Sequence, residues 1–205
     1  MELKQALQEL RKEEKKKFDQ SIDFILNLKG IDMKRDTLNA IITLPHKFKD
    51  KNVCAFLTKK SSLVNTITQP EFAKYKDKAA LRKLVKNYDF FIAAAPLMPQ
   101  VASTFGKVLG PAGKMPSPQM GVIMTDNEDV IKETLEKISN SIKIRMKEAS
   151  IKIVVGKESM KDEDIIENVM SAYSVLLNAL PKKVDNVKSV MIKLTMSKAI
   201  KVELK

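Results

Sequence analysis

Cysteine and histidine each occur once in these 205 residues, and tryptophan does not occur. The single thiol, Cys54, excludes an internal disulfide and any cysteine-rich zinc site. It stands in an apolar run and reads as a small core residue. The single imidazole, His46, follows Leu44-Pro45 in a turn and cannot build a histidine metal cluster. The 11 aromatic residues are too few and too scattered to form a stacking platform across a sheet. No secretory apolar segment is present, and no run is long enough to span a bilayer, so the chain reads as cytosolic and soluble, with no membrane partner. Paired carboxylates in an apolar setting, a nucleophile elbow and a Cys-His pair are all missing. No catalytic residue, cofactor or metal is expected.

What is present is positive charge. Lys and Arg total 37 against 25 Asp and Glu, a net charge of +12, which suits a polyanionic partner. The segment from Lys182 to Lys205 alone holds seven lysines against Asp185 and Glu203. With 44% hydrophobic residues the chain can bury a core, and its length fits one large domain or two small ones.

Glycine and proline are concentrated in one place. Phe105 to Pro118 holds three of the six glycines and three of the eight prolines, with Lys107 and Lys114 and no acid. Glycine permits positive φ and close backbone approach, while proline fixes φ and removes a donor, so an exposed, shaped loop is expected. A phosphate cradle, a basic loop facing nucleic acid and a turn-rich connector all fit that description. The phosphate-cradle reading requires a first glycine where Val108 stands and a Ser or Thr where Met115 stands. Both positions fail. The dinucleotide pattern fails too, because Val108 occupies its second glycine.

Periodicity outlines the rest. An amphipathic helix is expected over Met1 to Lys17, with Leu3, Ala6, Leu7 and Leu10 on one face. Strands follow at Ser21 to Lys29 and Leu38 to Leu44, separated by a polar turn at Asp32 to Asp36, and then at Val53 to Leu57. The composition changes at Thr58. Beyond it, a basic helix (Lys74 to Asn87), an apolar strand (Tyr88 to Ala95), a helix (Leu97 to Leu109), a short strand (Gly121 to Met124) and a helix to Ile138, capped by Asp126 or Asn127, alternate as in an α/β unit. Strand periodicity returns over Ser141 to Met146 and Ile151 to Val155. A helix from Asp162 to Leu180, stopped by Pro181, precedes strands at Val187 to Leu194 and Ala199 to Leu204. The expected fold is α/β with two domains. Residues 1–58 and 149–205 form a split α+β domain, and residues 59–148 form an α/β domain inserted into it. On chemistry alone, nucleic-acid binding is favoured over a generic basic scaffold.

Several motifs, in order along nearly the whole chain, carry a resemblance. They are Lys17-Phe18-Asp19-Gln20-Ser21, Ile31-Asp32-Met33, Leu44-Pro45-His46, Asp89-Phe90-Phe91-Ile92-Ala93, the Gly/Pro stretch from Phe105, Val155-Gly156-Lys157 and Lys193-Leu194-Thr195-Met196. Together they resemble the ribosomal protein L-one family of the mobile side stalk of the large subunit, in its archaeal branch. The resemblance implies a non-enzymatic ribosomal protein whose split domain binds 23S-type large-subunit rRNA. It implies that the inserted domain is a Rossmann-like three-layer sandwich without a nucleotide. It further implies assistance to deacylated tRNA leaving the exit site, translational repression through the protein's own mRNA, and a monomer when free of the ribosome. The competing readings are a nucleotide-dependent enzyme and a basic scaffold without RNA specificity.

Carried over by position, the RNA-contacting residues are Phe18, Ser189, Thr195 and Met196. Phe18 would serve equally as a staple between helix and strand, and Met196 as a core residue of an edge strand. Where the family has Gly-Pro after Thr-Met, this chain has Ser197 and Lys198. Lys198 is expected to add a phosphate contact, and Ser197 replaces a close backbone approach. A helical glutamate of the family falls on Gln8, with Glu9 beside it, and both carry over weakly. Lys107 and Lys114 are expected to be secondary contacts to RNA or tRNA.

Overall fold

The computed structural model describes residues 1–12, 16–32, 39–75, 77–118, 120–146 and 148–204. Most of the expected polar turn at Asp32 to Asp36, the first residue of the expected second strand and part of the charged run before Lys17 lie outside the described residues. The elements in chain order are α1 (Leu3–Arg11), β1 (Ser21–Leu28), β2 (Asn39–Thr43), β3 (Val53–Leu57), β4 (Asn65–Thr68), α2 (Lys78–Asn87), β5 (Phe90–Ala94), α3 (Met98–Leu109), β6 (Val122–Ile123), α4 (Glu128–Asn140), β7 (Ser141–Arg145), β8 (Ser150–Lys157), α5 (Asp162–Ala179), β9 (Val187–Leu194) and β10 (Ile200–Val202). The chain is a mixed α/β protein that divides into two units. Residues 1–48 and 140–205 form an outer unit, and residues 49–139 form an inserted one.

The outer unit is built on β1. Its residues alternate between half-buried and buried, placing Ile22, Phe24, Leu26 and Leu28 on one face. β1 pairs antiparallel with β8 on one side and β9 on the other, and β10 extends the sheet beyond β9. Helices α1 and α5 contribute Leu3, Leu7, Leu10, Ile165, Val169 and Leu176 to the core that the inner face of the sheet also lines. Three acids in the first turn of α5, Asp162, Glu163 and Asp164, suit the positive end of its dipole. The periodic segments β2 and β7 form a separate two-stranded ribbon in which Thr43 pairs with Ser141. Just beyond that ribbon, Leu44 N donates to Asn140 O at 2.7 Å. The loop that follows is held by α5: the fully buried Asn168 accepts from His46 N at 2.9 Å and donates to His46 O and Val155 O.

The inserted unit is a parallel sheet in the order β4-β3-β5-β6. Its core is aromatic. Phe56 packs on Phe105 with ring centroids 4.8 Å apart, lies nearly parallel to Phe91 at 5.7 Å, and meets Phe72 edge-on at 5.8 Å. Cys54 is fully buried in the same core, and desolvation pushes its thiol up to about 12.

Several expectations are corrected here. Val53–Leu57, expected with the outer sheet, belongs to the inserted one, so the chain crosses between units at 48/49 and 139/140. Four consecutive residues of that strand are buried, as a strand covered on both faces requires. The polar stretch read as a boundary contains β4, an edge strand with Ile67 as its one buried residue. The Gly/Pro stretch, expected to be exposed, begins inside the helix expected to run to Leu109, and its Phe105 is completely buried. Of the two residues expected to cap α4, Asn127 stands directly before the helix and its carbonyl accepts from Ile131 N at 3.1 Å, whereas Asp126 accepts from Thr58 N at 3.0 Å and from the Thr58 hydroxyl.

Candidate nucleic-acid interface

The antiparallel register brings three distant segments to one end of the outer sheet. Ser21, the first residue of β1, faces Lys157 at the end of β8, and Ile22 faces Leu194 at the end of β9. The chain entering β1 (residues 16–20) therefore meets the chain leaving β8 (158–161) and the chain leaving β9 (195–199). Three motifs that the sequence presents separately, around Phe18, Gly156 and Met196, come together there.

Hydrogen bonds lock these segments to one another. Thr195 extends the ladder: its N–H donates to Ser21 O at 3.1 Å, while its hydroxyl accepts from Ser21 N at 3.1 Å and donates to Ser21 O at 3.3 Å. Gln20 is only 3% exposed. Its Oε1 accepts from Met196 N at 3.1 Å, its Nε2 donates to Glu158 Oε2 at 3.3 Å, and its carbonyl accepts from Glu158 N. Asp19 accepts from both the hydroxyl and the backbone N–H of Ser159, with Lys157 Nζ 3.6 Å away. The Ser159 hydroxyl above all, helped by the Ser159 N–H and the Lys157 charge, holds the Asp19 carboxyl below its ordinary value against desolvation, which opposes it. At the end of α1, Arg11 donates to Glu158 O, Met160 O and Asp162 Oδ1, fastening that helix to the same loop.

On this fixed backbone two apolar side chains face solvent. Phe18 is 52% exposed and Met196 is 66% exposed. Phe18 is thus neither a buried staple nor part of the core, and Met196 is not a core residue. Lys17 and Lys198 are exposed in the same segments. The result is an apolar pair with cations beside it, held on segments that hydrogen bonds tie to one another.

The other expected residues fall elsewhere. Ser189 lies six residues upstream of Thr195 on β9, roughly 20 Å along the strand. It sits on the half-exposed face of the sheet, where its hydroxyl accepts from Asn27 Nδ2 at 3.0 Å while Ser150 Oγ donates to Asn27 Oδ1 at 3.0 Å, a polar ladder across three strands. On that face Asp23 is paired in register with Lys193; desolvation pushes its carboxyl up and Lys193 offsets part of the effect. Gln8 and Glu9 are exposed on α1, one turn before Arg11. Ser197 is committed to its turn: its hydroxyl accepts from Leu194 N at 2.8 Å, and its N–H donates to Leu194 O. Lys107 is exposed on α3 in the inserted unit. Lys114 is engaged with the protein itself, since its ammonium donates to Val85 O at 2.8 Å and Tyr88 O at 2.7 Å, at the C-terminal end of α2. It acts as a strut for that helix and is not a free cation. Gln20, Asp19 and Arg11 carry no assignment from the sequence. The first two lie inside the motif that contains Phe18, which is the available signal. Among the described residues no group of His, Cys, Asp and Glu could hold a metal ion.

The chain matches known proteins along nearly its whole length. Residues 10–198 match the model of the Ribosomal protein L1p/L10e family. The chain is 32% identical to the large ribosomal subunit protein uL1 of Pyrobaculum calidifontis, over 98% of this chain and 92% of that protein. It is 34% identical to the uL1 of Pyrococcus abyssi, over 91% of this chain and 88% of that protein. With the uL1 of Methanobrevibacter smithii it shares 31% identity across 98% of both chains. The family match reaches across both arms of the outer unit and the whole inserted unit, and the chain belongs to the Ribosomal protein L1p/L10e family.

Proposed function

We propose that this protein is a non-enzymatic structural component of the large ribosomal subunit. Its outer unit, residues 1–48 and 140–205, holds large-subunit rRNA at the sheet end where Phe18 and Met196 stand exposed. The observation that carries this reading is the contrast at that end between a backbone locked by Thr195, Gln20 and Asp19 and two large apolar side chains left in solvent. Rigid exposed apolar groups next to lysines suit sugars and unstacked bases, with the cations placed for phosphates. Ser189 and the Asn27 ladder offer hydroxyl and amide groups to a 2′-OH on the open sheet face. The resemblance supports two further roles. One is binding a mimic of the rRNA site in the protein's own mRNA. The other is service on a mobile stalk as deacylated tRNA leaves the exit site. A nucleotide-enzyme reading has nothing to stand on, because Lys114 of the Gly/Pro stretch is spent on two protein carbonyls.

The test is binding of the side-stalk rRNA fragment and a scrambled RNA by the F18A/M196A variant. Both residues are exposed, so the fold is expected to survive, as thermal unfolding would check. Loss of stacking on each base costs about 1–3 kcal/mol. Cognate affinity is expected to fall roughly 10- to 100-fold or more, with scrambled RNA little changed. Unchanged cognate affinity would remove the proposed site.

A further inference from the structure

We propose that helix α2 of the inserted unit is a second RNA surface, one that grips the phosphate backbone without reading bases. This rests on the ribosomal reading above. The sequence from residue 74 to 87 holds six basic residues and one acid, Asp77, which is spent as the N-cap of α2, accepting from Ala79 N at 3.3 Å. Within α2 itself there are four basic residues and no acid. Leu81 and Leu84 face the core, and Arg82, Lys83 and Lys86 are all exposed. Arg82 and Lys86 are four residues apart and Lys83 and Lys86 three apart, so the three cations share one exposed side of the helix.

Like charges at these spacings repel and weaken an isolated helix. The usual remedy is to interleave acids, and α4 of the same unit does so. It carries four acids and two lysines, and Lys137 reaches Glu133 one turn away at 4.0 Å. Elsewhere in the unit Lys49 pairs with Asp89 and Lys60 with Glu71. Arg82, Lys83 and Lys86 have no acidic partner among the described residues. Lys114 braces this surface from within the protein, its ammonium held by carbonyls at the C-terminal end of α2, where the helix dipole favours a cation. The Gly/Pro stretch thus has a role in this surface. Gly110, where a Cβ would lie 2.8 Å from Gly106 O, and Gly113, with φ of +70°, let the chain turn tightly enough to bring Lys114 back to α2. A row of cations on one side of a helix complements a row of phosphates, and with no acid within α2 its exposed side is dominated by groups that contact the backbone of RNA rather than its bases.

The experiment uses the full chain and its R82A/K83A/K86A variant. Binding is followed by fluorescence anisotropy with a random-sequence RNA duplex, and with polyglutamate as an acidic polypeptide, at several salt concentrations. Removing one cation that neutralises a phosphate lowers the slope of log affinity against log salt by roughly 0.7–0.9. The triple variant is expected to lower the slope by about 2 and to bind the duplex roughly tenfold more weakly at low salt. A K132A/K137A variant on α4 is expected to change neither quantity. The triple variant should melt no lower than the parent, since it removes repulsion. Unaltered affinity and slope for the triple variant would overturn the α2 surface while leaving the Phe18 and Met196 site intact. A loss of polyglutamate binding with duplex binding preserved would assign α2 to an acidic protein and overturn the RNA assignment. A parent protein that bound no RNA at any salt would overturn both this proposal and the ribosomal reading beneath it.

Discussion

The two units use their aromatic residues in opposite ways. In the inserted unit Phe56, Phe72, Phe91 and Phe105 are all buried and pack ring against ring. In the outer unit Phe24 is the one fully buried ring among the described residues, Phe48 and Tyr173 pack half-buried at the edge of a mainly aliphatic core, and Phe18 is left in solvent. Glycine and proline divide the same way. The stretch richest in them belongs to the inserted unit, where it closes the core with Phe105 and ties down α2 with Lys114. The interface of the outer unit is made from ordinary residues, Asp19, Gln20, Ser21 and Thr195, that become special only through strand register. Conspicuous composition in this chain marks where the backbone is hard to fold. The candidate interface is marked instead by polar groups satisfied from distant positions.

The largest expected effect breaks the inserted unit alone. Phe105→Ala removes a fully buried ring that packs on Phe56, Phe72 and Tyr75. It should cost about 3–5 kcal/mol. Denaturant unfolding should show one transition moved to lower denaturant, with binding to the side-stalk rRNA fragment kept within about threefold. If the motif were itself the RNA clamp, the binding would collapse and the stability would not.

Thr195→Val sharpens the comparison at smaller scale. The hydroxyl both accepts from and donates to Ser21. Its loss should cost about 0.5–1.5 kcal/mol of stability. Thr195→Ser should restore most of it. Urea unfolding of the two variants separates a hydroxyl that holds the strands together from one reserved for RNA; a Val variant as stable as the parent would assign it wholly to RNA.

The clean periods of β1, β9 and α5 are legible because each has one face in the core and one near water. The placement of β3 is not, because a strand buried on both faces has the same apolar run in either sheet. β4 escapes a reading by periodicity because an edge strand with one buried residue carries almost no pattern. For the interface, Phe18, Thr195 and Met196 can be named from their motifs. Their meeting with Gln20 and Ser159 cannot, since it depends on Ser21 lying opposite Lys157 and Ile22 opposite Leu194. Lys114 shows the reverse error: in sequence it is a lysine on an open loop, and its carbonyl partners appear only when α2 is in place.

The smallest expected effect concerns acid. The Asp19 carboxyl is held lower in the folded protein than in the unfolded chain. Its stabilising contribution is therefore full above the unfolded value, about 3.9, and is lost as pH falls through the lower folded value. Solvent screening at this exposed site keeps it small. Asp19→Asn should flatten the acid limb of stability against pH below about pH 4 and leave the neutral limb parallel to that of the parent, as thermal melts across pH would show. An acid limb identical to the parent's would mean that Ser159 and Lys157 do not hold the carboxylate in solution.

The central strand of the outer sheet is synthesised before the inserted unit, and both of its partners after it. The inserted unit is complete in sequence at residue 139, whereas β1 has no strand beside it until β8 emerges and lacks β9 until residue 194. At about 5–20 residues per second the intervening 55 residues take roughly 3–11 s to make. During that interval β8 and α5 join residues 1–48 one after the other, and the sheet stays incomplete until β9 pairs with β1. The interface is thus assembled only after residues 195–199 have been made, so a growing chain cannot occupy RNA through it before both arms of the outer unit have been synthesised.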